Sequence, residues 1–141
     1  MADERRRFDV ALVTPDGPAY EGEAEMLIVP GAAGEIGVLA RHAPLVATLK
    51  AGSTRVHVGR GEVLEFATGP GFFKVELDRA IALVDDAVNA NEIDDARARE
   101  QLEAARAELE AIESGDSAAD RWQVEQRIRH AENQLSVAGR G

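Results

Sequence analysis

The sequence contains no cysteine, few aromatic residues and fewer basic than acidic residues. Without cysteine, the chain forms neither a disulfide framework nor a Cys-based zinc site, and this composition fits a reducing compartment. Only 4% of the residues are aromatic, which argues against a carbohydrate-binding surface. The net charge of −10 at pH 7 argues against nucleic acid or anionic lipid as the main partner, because both require a cationic surface.

Long apolar runs are also missing. No stretch reaches the roughly 18 apolar residues of a membrane-spanning helix, so we expect no direct insertion into a membrane. The first eight residues, MADERRRF, pass from charge directly into strand-like sequence, and we expect no export signal. The histidines His42, His57 and His130 lack metal-ligand spacing, and no nucleophile stands beside a base. We therefore predict neither a metal site nor a catalytic site.

From Phe8 to about Val88 the apolar residues recur with a period of two, which is typical of strands with one buried face. Short connections rich in Gly, Pro and Asp separate these runs. The pattern predicts an antiparallel β-sandwich of about eight to ten strands over residues 1–88. The predicted inward-facing residues include Phe8, Val10, Leu12, Val56, Val58, Leu64, Phe66, Phe73, Val75, Leu77, Ile81 and Leu83.

The period changes near residue 89, and residues 89–141 are predicted to form an antiparallel hairpin of two helices. Asn91 with Asp94, and Ser117 with Asp120, have the spacing of capping boxes at the two helix starts. Apolar residues then follow at spacings of three and four, as on one face of a helix. They are Ala98, Leu102, Ala105, Leu109 and Ile112 in the first helix, and Val124, Ile128, Ala131, Leu135 and Ala138 in the second.

The seam between these helices is thin, because several of its residues are alanine and bury little area. Residues 92–113 carry a net charge of −5 and residues 120–141 carry +1, so the two helices attract each other weakly. We expect the hairpin to be marginally stable and to be the mobile part of the molecule.

One stretch of the sandwich, Ile28–Leu45, is unusually rich in turn formers. Pro30, Gly31, Gly34 and Gly37 predict a backbone that turns tightly and returns. Glu35, Arg41 and His42 are the polar side chains that such a segment displays. A segment with a constrained backbone and a few exposed polar side chains suits docking to a partner protein rather than catalysis.

Several strings in this order resemble the epsilon subunit of bacterial F-type ATP synthases, whose mitochondrial counterpart is called delta. The resemblance covers nearly the whole chain. Each string alone is weak evidence for this family, whereas all of them in this order are a specific match. The strings are Gly34–Leu39 (GEIGVL), His42–Leu45 (HAPL), Leu49–Gly52 (LKAG), Val13–Pro15 (VTP), Ile93–Ala98 (IDDARA) and Leu135–Val137 (LSV).

The resemblance implies a non-catalytic subunit of the central stalk, at the cytoplasmic face of the bacterial inner membrane and driven by protons. Its sandwich is expected to lock the gamma subunit to the ring of c subunits. Its helical hairpin is expected either to fold back or to extend along gamma toward the alpha and beta subunits, where it obstructs ATP hydrolysis. The implied residues of the gamma and c-ring contact are Glu35, Gly37, Arg41, His42 and Pro44.

The resemblance also implies a nucleotide site in some relatives, at the positions of Ile93, Asp94 and Arg97. In this chain His130 and Gln134 stand near positions where ATP-binding relatives use basic side chains, which removes charge that a triphosphate needs. The alternative is an ordinary helix start, with Asp94 at the positive end of the helix dipole and paired with Arg97. ATP thus remains a possible regulatory ligand, and no other cofactor is expected.

Three arginines of the last helix, Arg121, Arg127 and Arg129, form a basic strip together with Arg140. The resemblance implies contact with acidic helix ends of the beta subunit, whereas solvated helix surface is the ordinary meaning of such a strip. Two functions outside the family stay open at this point. One is a free-standing sandwich adaptor that uses its hairpin for coiled-coil binding, and the other is a carbohydrate-binding or hydrolytic sandwich.

Overall fold

The computed structural model describes residues 6–139. The first five residues, on which the expectation about an export signal partly rests, and Arg140 of the basic strip lie outside this range. The chain divides into two compact units that meet between Asn89 and Ala90. The first unit is made of strands and the second of helices.

Within the described residues, ten strands form the first unit, and most connections between them are two residues long. Four of these two-residue connections join strands that pair with each other in antiparallel fashion, as in β-hairpins. The strands are β1 (Phe8–Thr14), β2 (Gly17–Ala24), β3 (Met26–Gly31), β4 (Gly34–Val38), β5 (Leu45–Leu49), β6 (Gly52–Gly59), β7 (Glu62–Thr68), β8 (Gly71–Glu76), β9 (Arg79–Val84) and β10 (Ala87–Asn89).

The strands are hydrogen-bonded in the order β10-β7-β6-β3-β5-β8-β9-β1-β2, and β4 pairs with β3 beside this path. A single residue pair, Gly31 with Leu49, joins β3 to β5. The β-sandwich expected from the sequence is confirmed, with one correction: β1 and β9 run parallel. Strands far apart in sequence are free to pair in either direction, because no tight turn fixes their relative orientation.

The core of this unit is built from large side chains on the inward faces of the strands. Phe73 is the largest fully buried one. Two buried hydroxyls, Thr54 and Thr68, lie 2.9 Å apart and satisfy each other between β6 and β7. The other core residues are Phe8, Val10, Leu12, Ala24, Leu27, Val29, Val38, Leu49, Val56, Phe66, Val75, Ala80, Ala82 and Val84.

The predicted inward face of β9 is wrong. Ala80, Ala82 and Val84 are buried, whereas Leu83 is exposed and Ile81 is half-buried. The reason is the two-residue loop between β8 and β9, which pairs odd-numbered with even-numbered positions, so that Val75 opposes Ala80. Leu77, also predicted to face inward, lies in this loop and is 83% exposed. In a sheet, a shift of one residue turns every side chain to the other face.

The second unit begins with a short 3-10 turn, Ala90–Glu92, and continues with α1 (Asp95–Glu113) and α2 (Arg121–Ala138). Both predicted caps are three residues too early. The carboxylate of Asp94 accepts a hydrogen bond from the backbone N–H of Arg97, and that of Asp120 accepts one from Trp122. Each acidic residue is thus the N-cap itself, a position that Asp favours strongly.

The two helices bury five of the ten residues that their periodicity predicts, and the other five are half-buried: Leu109, Ile112, Ile128, Leu135 and Ala138. Val137, which is not among the predicted residues, is also buried. The other fully buried residues are Ala98, Leu102, Ala105, Val124 and Ala131. Among residues 6–139, no helix combines the length and the hydropathy needed to cross a bilayer.

Candidate docking surface

The turn-rich stretch folds as the hairpin of β3 and β4. Gly31 pairs with Gly34, and Ala32 and Ala33 form the turn between them. Gly34 has a φ of +141°, which favours glycine. A Cβ on Gly31 would lie 2.6 Å from the carbonyl oxygen of Gly34, so this close approach also requires glycine. We call residues 31–34 the tip turn.

Gly37 is not a turn former. It lies within β4, opposite Ile28 of β3, and a Cβ built on it meets no atom within 4 Å. Pro30 likewise lies within a strand, where it pairs with Glu35. The turn is therefore shorter than predicted and consists of the tip turn alone. Gly37 lies in a strand, and the space beside it is open.

Glu35 stands directly after the tip turn and is held by an ion pair. Its Oε2 accepts a hydrogen bond from Nη2 of Arg55 on β6 at 2.8 Å. The side chain of Glu35 is still 58% exposed, so it retains acceptor capacity for a partner. A pair this exposed contributes little to folding.

The other predicted docking residues lie in a loop beyond the far end of β4, residues 39–44. Arg41 has a left-handed φ of +64°, and its backbone N–H donates to Oδ1 of Asp78 at 2.9 Å. Nδ1 of His42 lies 2.7 Å from the carbonyl oxygen of Ala43. Pro44 is exposed. Residues 36–38 of β4 separate this 39–44 loop from Glu35, so the five predicted docking residues are spread along the strand and the loop that follows it.

Sequence reasoning missed a set of large apolar side chains on the outer face of β5, β8 and β9. Val46 is 73% exposed, Phe72 64% and Leu83 52%. Phe72 and Leu83 are directly opposite each other in the β8–β9 pairing, and Val46 on β5 is opposite Lys74, two residues further along β8. We call these three residues the outer strip. The correct register of β9 would have revealed it, because that register turns Leu83 outward.

The arginines of α2 are partly engaged within their own unit. Nη2 of Arg121 contacts Glu113 at 3.1 Å, and Nη1 of Arg127 contacts Glu108 at 2.8 Å. Both carboxylates belong to α1, so these exposed pairs link the two helices. Within residues 6–139, Arg129 forms no ion pair and is exposed. The basic strip is thus not a uniform free surface.

The candidate nucleotide residues Ile93, Asp94 and Arg97 lie at the start of α1. Oδ1 of Asp94 accepts from the backbone N–H of Arg97 at 3.1 Å, and this capping bond replaces the expected ion pair between the two side chains. Arg97 is exposed and Ile93 is half-buried. In the described part of the chain, no group of three or more His, Cys, Asp or Glu side chains is placed to hold a metal ion.

The chain thus combines a β-sandwich, which carries the exposed apolar outer strip, with a hairpin of two helices. Residues 7–90 match the model of the family "ATP synthase, Delta/Epsilon chain, beta-sandwich domain". The ATP synthase epsilon chain of Rubrobacter xylanophilus is 37% identical, over 99% of this chain and 97% of its own length. That of Halalkalibacterium halodurans is 40% identical, over 93% and 96%.

A solved structure supports the fold along nearly the whole chain. A chain in the cryo-EM structure of the Euglena gracilis mitochondrial ATP synthase, OSCP/F1/c-ring, is 23% identical, with a TM-score of 0.75 over 96% of this chain and 84% of that one. The chain belongs to the delta/epsilon chain family of ATP synthases. It is accordingly a non-catalytic subunit of that complex, and neither the free-standing adaptor nor the carbohydrate-binding sandwich is needed.

Proposed function

We propose that the sandwich docks onto the gamma subunit and the ring of c subunits, and so transmits the rotation of the ring to gamma. The outer strip carries this proposal, because three large apolar side chains remain in solvent above a well-packed core. Exposed apolar clusters are typical of protein–protein interfaces. Family membership supplies the identity of the partners.

We assign different partners to the two ends of β4. The outer strip and the 39–44 loop meet gamma, because an apolar surface suits a lasting contact between subunits that turn together. The tip turn and Glu35 meet polar loops of the c-ring. The five residues of β4 span about 16 Å, so one partner loop does not cover both ends. Losing a rim contact such as Glu35 costs at most about 1–3 kcal/mol.

Single introduced cysteines test this assignment, because the native chain has none. In the assembled complex, Glu35→Cys should cross-link to a c subunit and Val46→Cys to gamma. Glu62→Cys, exposed on β7, is the control that should cross-link to neither. A Val46→Cys variant that assembles normally and reaches no rotor subunit would contradict the proposed gamma contact.

The hairpin, in this proposal, regulates ATP hydrolysis by leaving its folded position and reaching the alpha and beta subunits. Arg121, Arg127 and Arg129 then contact acidic side chains of beta. The ion pairs of Arg121 and Arg127 are exposed and weak, so carboxylates of a partner can replace Glu113 and Glu108. Arg129 is available without such an exchange.

A cysteine at Arg129 tests the moving hairpin. In complexes that lack ATP, Arg129→Cys should cross-link to beta, and ATP should lower the yield of that product. A cysteine at an exposed position of the other helix, Glu103→Cys in α1, provides the control. Equal yields of the beta cross-link under both conditions would show that the hairpin does not change its position with ATP.

For the segment Ile93–Arg97 we favour the helix start over a nucleotide site. The Asp94 carboxylate is used by the cap, and the neutral Gln134 offers no charge to a triphosphate. Isothermal titration of the isolated chain with ATP should give no binding heat up to millimolar concentrations. A binding isotherm that disappears in Arg97→Ala would overturn this choice.

The finer location also belongs to this proposal: the cytoplasmic face of a bacterial inner membrane, with protons as the coupling ion. In residues 6–139 no helix spans a bilayer, which supports attachment through the complex alone. The chain should sediment with membranes that contain the c-ring, and conditions that dissociate the complex should release it without detergent. Retention on membranes stripped of the complex would argue against this peripheral position.

A further inference from the structure

The loop between β8 and β9 combines two unfavourable features in one residue. Glu76 pairs with Arg79, so the loop consists of Leu77 and Asp78 alone. Leu77 has a left-handed φ of +57° and is 83% exposed. Two-residue hairpin loops with positive φ favour Asn, Asp or Gly, because other side chains crowd the backbone there. Leucine at this position therefore strains the backbone and adds no buried area to the core.

Asp78, the second loop residue, connects this loop to the proposed gamma contact. Its Oδ1 accepts the hydrogen bond from the backbone N–H of Arg41, and its Oδ2 lies 3.4 Å from Nη2 of Arg6. Arg41 also has a left-handed φ. A residue 37 positions away thus fixes the strained turn of the 39–44 loop, because the bond satisfies an N–H that the sheet does not use.

The surface from Leu77 to Pro44 is continuous. A cavity of about 220 Å³ lies beside Leu77 and Ile81, and a second of about 380 Å³ lies beside Pro44 and Val46. The two cavities share Lys74 and Glu76 in their linings. The loop therefore borders both the 39–44 loop and the outer strip.

We propose that the Leu77–Asp78 loop is part of the gamma-docking surface, with Leu77 as an apolar contact and Asp78 as the residue that positions Arg41. This inference rests on the proposed docking of the sandwich onto gamma. Strained backbone and exposed apolar side chains persist where a partner compensates for them. The partner surface that fits is an apolar recess for Leu77, bordered by an acceptor for the guanidinium of Arg41.

Leu77→Asn separates docking from folding, because Asn tolerates the left-handed conformation better than Leu. The variant should melt at the same temperature as the native chain or higher, and should bind purified gamma about tenfold more weakly. Val63→Asn is the matched control, since Val63 is an exposed apolar residue on β7, at 44% exposure. Its affinity for gamma should equal that of the native chain.

Asp78 is tested by a pair of substitutions. Asp78→Ala removes the acceptor for Arg41 and should weaken gamma binding about fivefold. Asp78→Asn keeps an acceptor oxygen and should restore most of the affinity, a rescue that loss of the exposed Arg6 ion pair alone does not predict. Chemical shifts of the Arg41 amide should move in Asp78→Ala and remain close to native in Asp78→Asn.

The outcomes distinguish the two levels of the proposal. If the native chain fails to bind gamma, the proposed function fails and this inference fails with it. If the native chain binds and Leu77→Asn binds equally well, Leu77 is not a contact and only the inference falls. Equal affinities of Asp78→Ala and the native chain would likewise remove the positioning role.

Discussion

The two units of this chain differ in the residues that form their interiors. The sandwich buries Phe8, Phe66 and Phe73 among leucines and valines. The helical unit buries three alanines, two valines and one leucine. A buried Phe or Leu side chain contributes about 1.5–3 kcal/mol by its apolar area, and an alanine contributes far less. The first unit therefore gains more from apolar burial than the second, whose cross-helix ion pairs are exposed and add little.

This difference matches the division of labour that we propose. A part that transmits torque must keep its shape, whereas a part that switches must exchange its contacts at low cost. Cross-helix pairs such as Arg106 with Glu132, at 3.0 Å, are easily exchanged because both side chains are at least half exposed. The chain also carries one tryptophan and one tyrosine. Trp122 lies in the helical unit and Tyr20 in the sandwich, so each unit has its own fluorescent reporter.

The largest expected effect comes from the sandwich core. Phe73→Ala should destabilise this unit by about 3–5 kcal/mol, because it removes a fully buried ring and leaves a cavity. Its neighbour Phe72 provides the control, since Phe72→Ala removes an exposed ring from the same strand and should leave stability within about 0.5 kcal/mol. Denaturant unfolding followed by Tyr20 fluorescence measures both. Phe72→Ala should instead weaken binding to gamma.

A buried leucine tests the helical unit. Leu102→Ala should cost about 2 kcal/mol, at the low end for a buried leucine, because a two-helix seam collapses more easily around the lost volume. Hydrogen exchange should accelerate in α1 and α2, and the amides of the sandwich should keep their protection. Accelerated exchange in β3 or β8 would show that the two units do not differ in the way described above.

Glycines of the docking hairpin give a smaller effect and a direct comparison. Gly31→Ala should cost about 1–3 kcal/mol, because its Cβ meets the carbonyl oxygen of Gly34 and the side chain of Ile36. Gly37→Ala has open space and should be neutral in thermal unfolding. Any loss of rotor binding in Gly37→Ala would then report on the interface alone. A large fall in its melting temperature would contradict the open position.

Much of the fold could be predicted from the sequence, because apolar residues recur at every second position in the strands and at spacings of three and four in the helices. The strand register was the part that failed. Ile81 and Leu83 attract attention as large apolar residues, yet the two-residue loop before them dictates that Ala80 and Ala82 face the core. A two-residue loop pairs odd-numbered positions of β8 with even-numbered positions of β9. Using this rule together with the apolar period would have corrected the predicted face of β9 and revealed the outer strip.

Features that depend on contacts between distant residues could not be predicted in this way. The parallel pairing of β1 with β9 and the bond from Arg41 to Asp78 join residues with no local signal. The separation of Glu35 from the 39–44 loop follows from Gly37 lying inside β4, whereas glycine alone is compatible with either a turn or a strand. The engagement of Arg127 by Glu108 likewise requires the packed helices.

The smallest expected effect concerns the ion pairs between the helices. Glu108→Gln should lower the stability of the helical unit by about 0.3–1 kcal/mol at low salt, because it removes the partner of Arg127. Glu103→Gln changes the charge equally in an exposed residue of the same helix that forms no ion pair in the described part of the chain, and should have no such effect. Trp122 fluorescence during urea unfolding measures both.

Salt distinguishes the pair from a general effect of charge. At about 1 M salt the screening length falls to about 3 Å, so the native chain and Glu108→Gln should unfold at the same urea concentration. The native chain loses its pair under these conditions, whereas the variant has none to lose. A difference that persists at high salt would mean that packing of the Glu108 side chain, rather than its charge, holds α2 against α1.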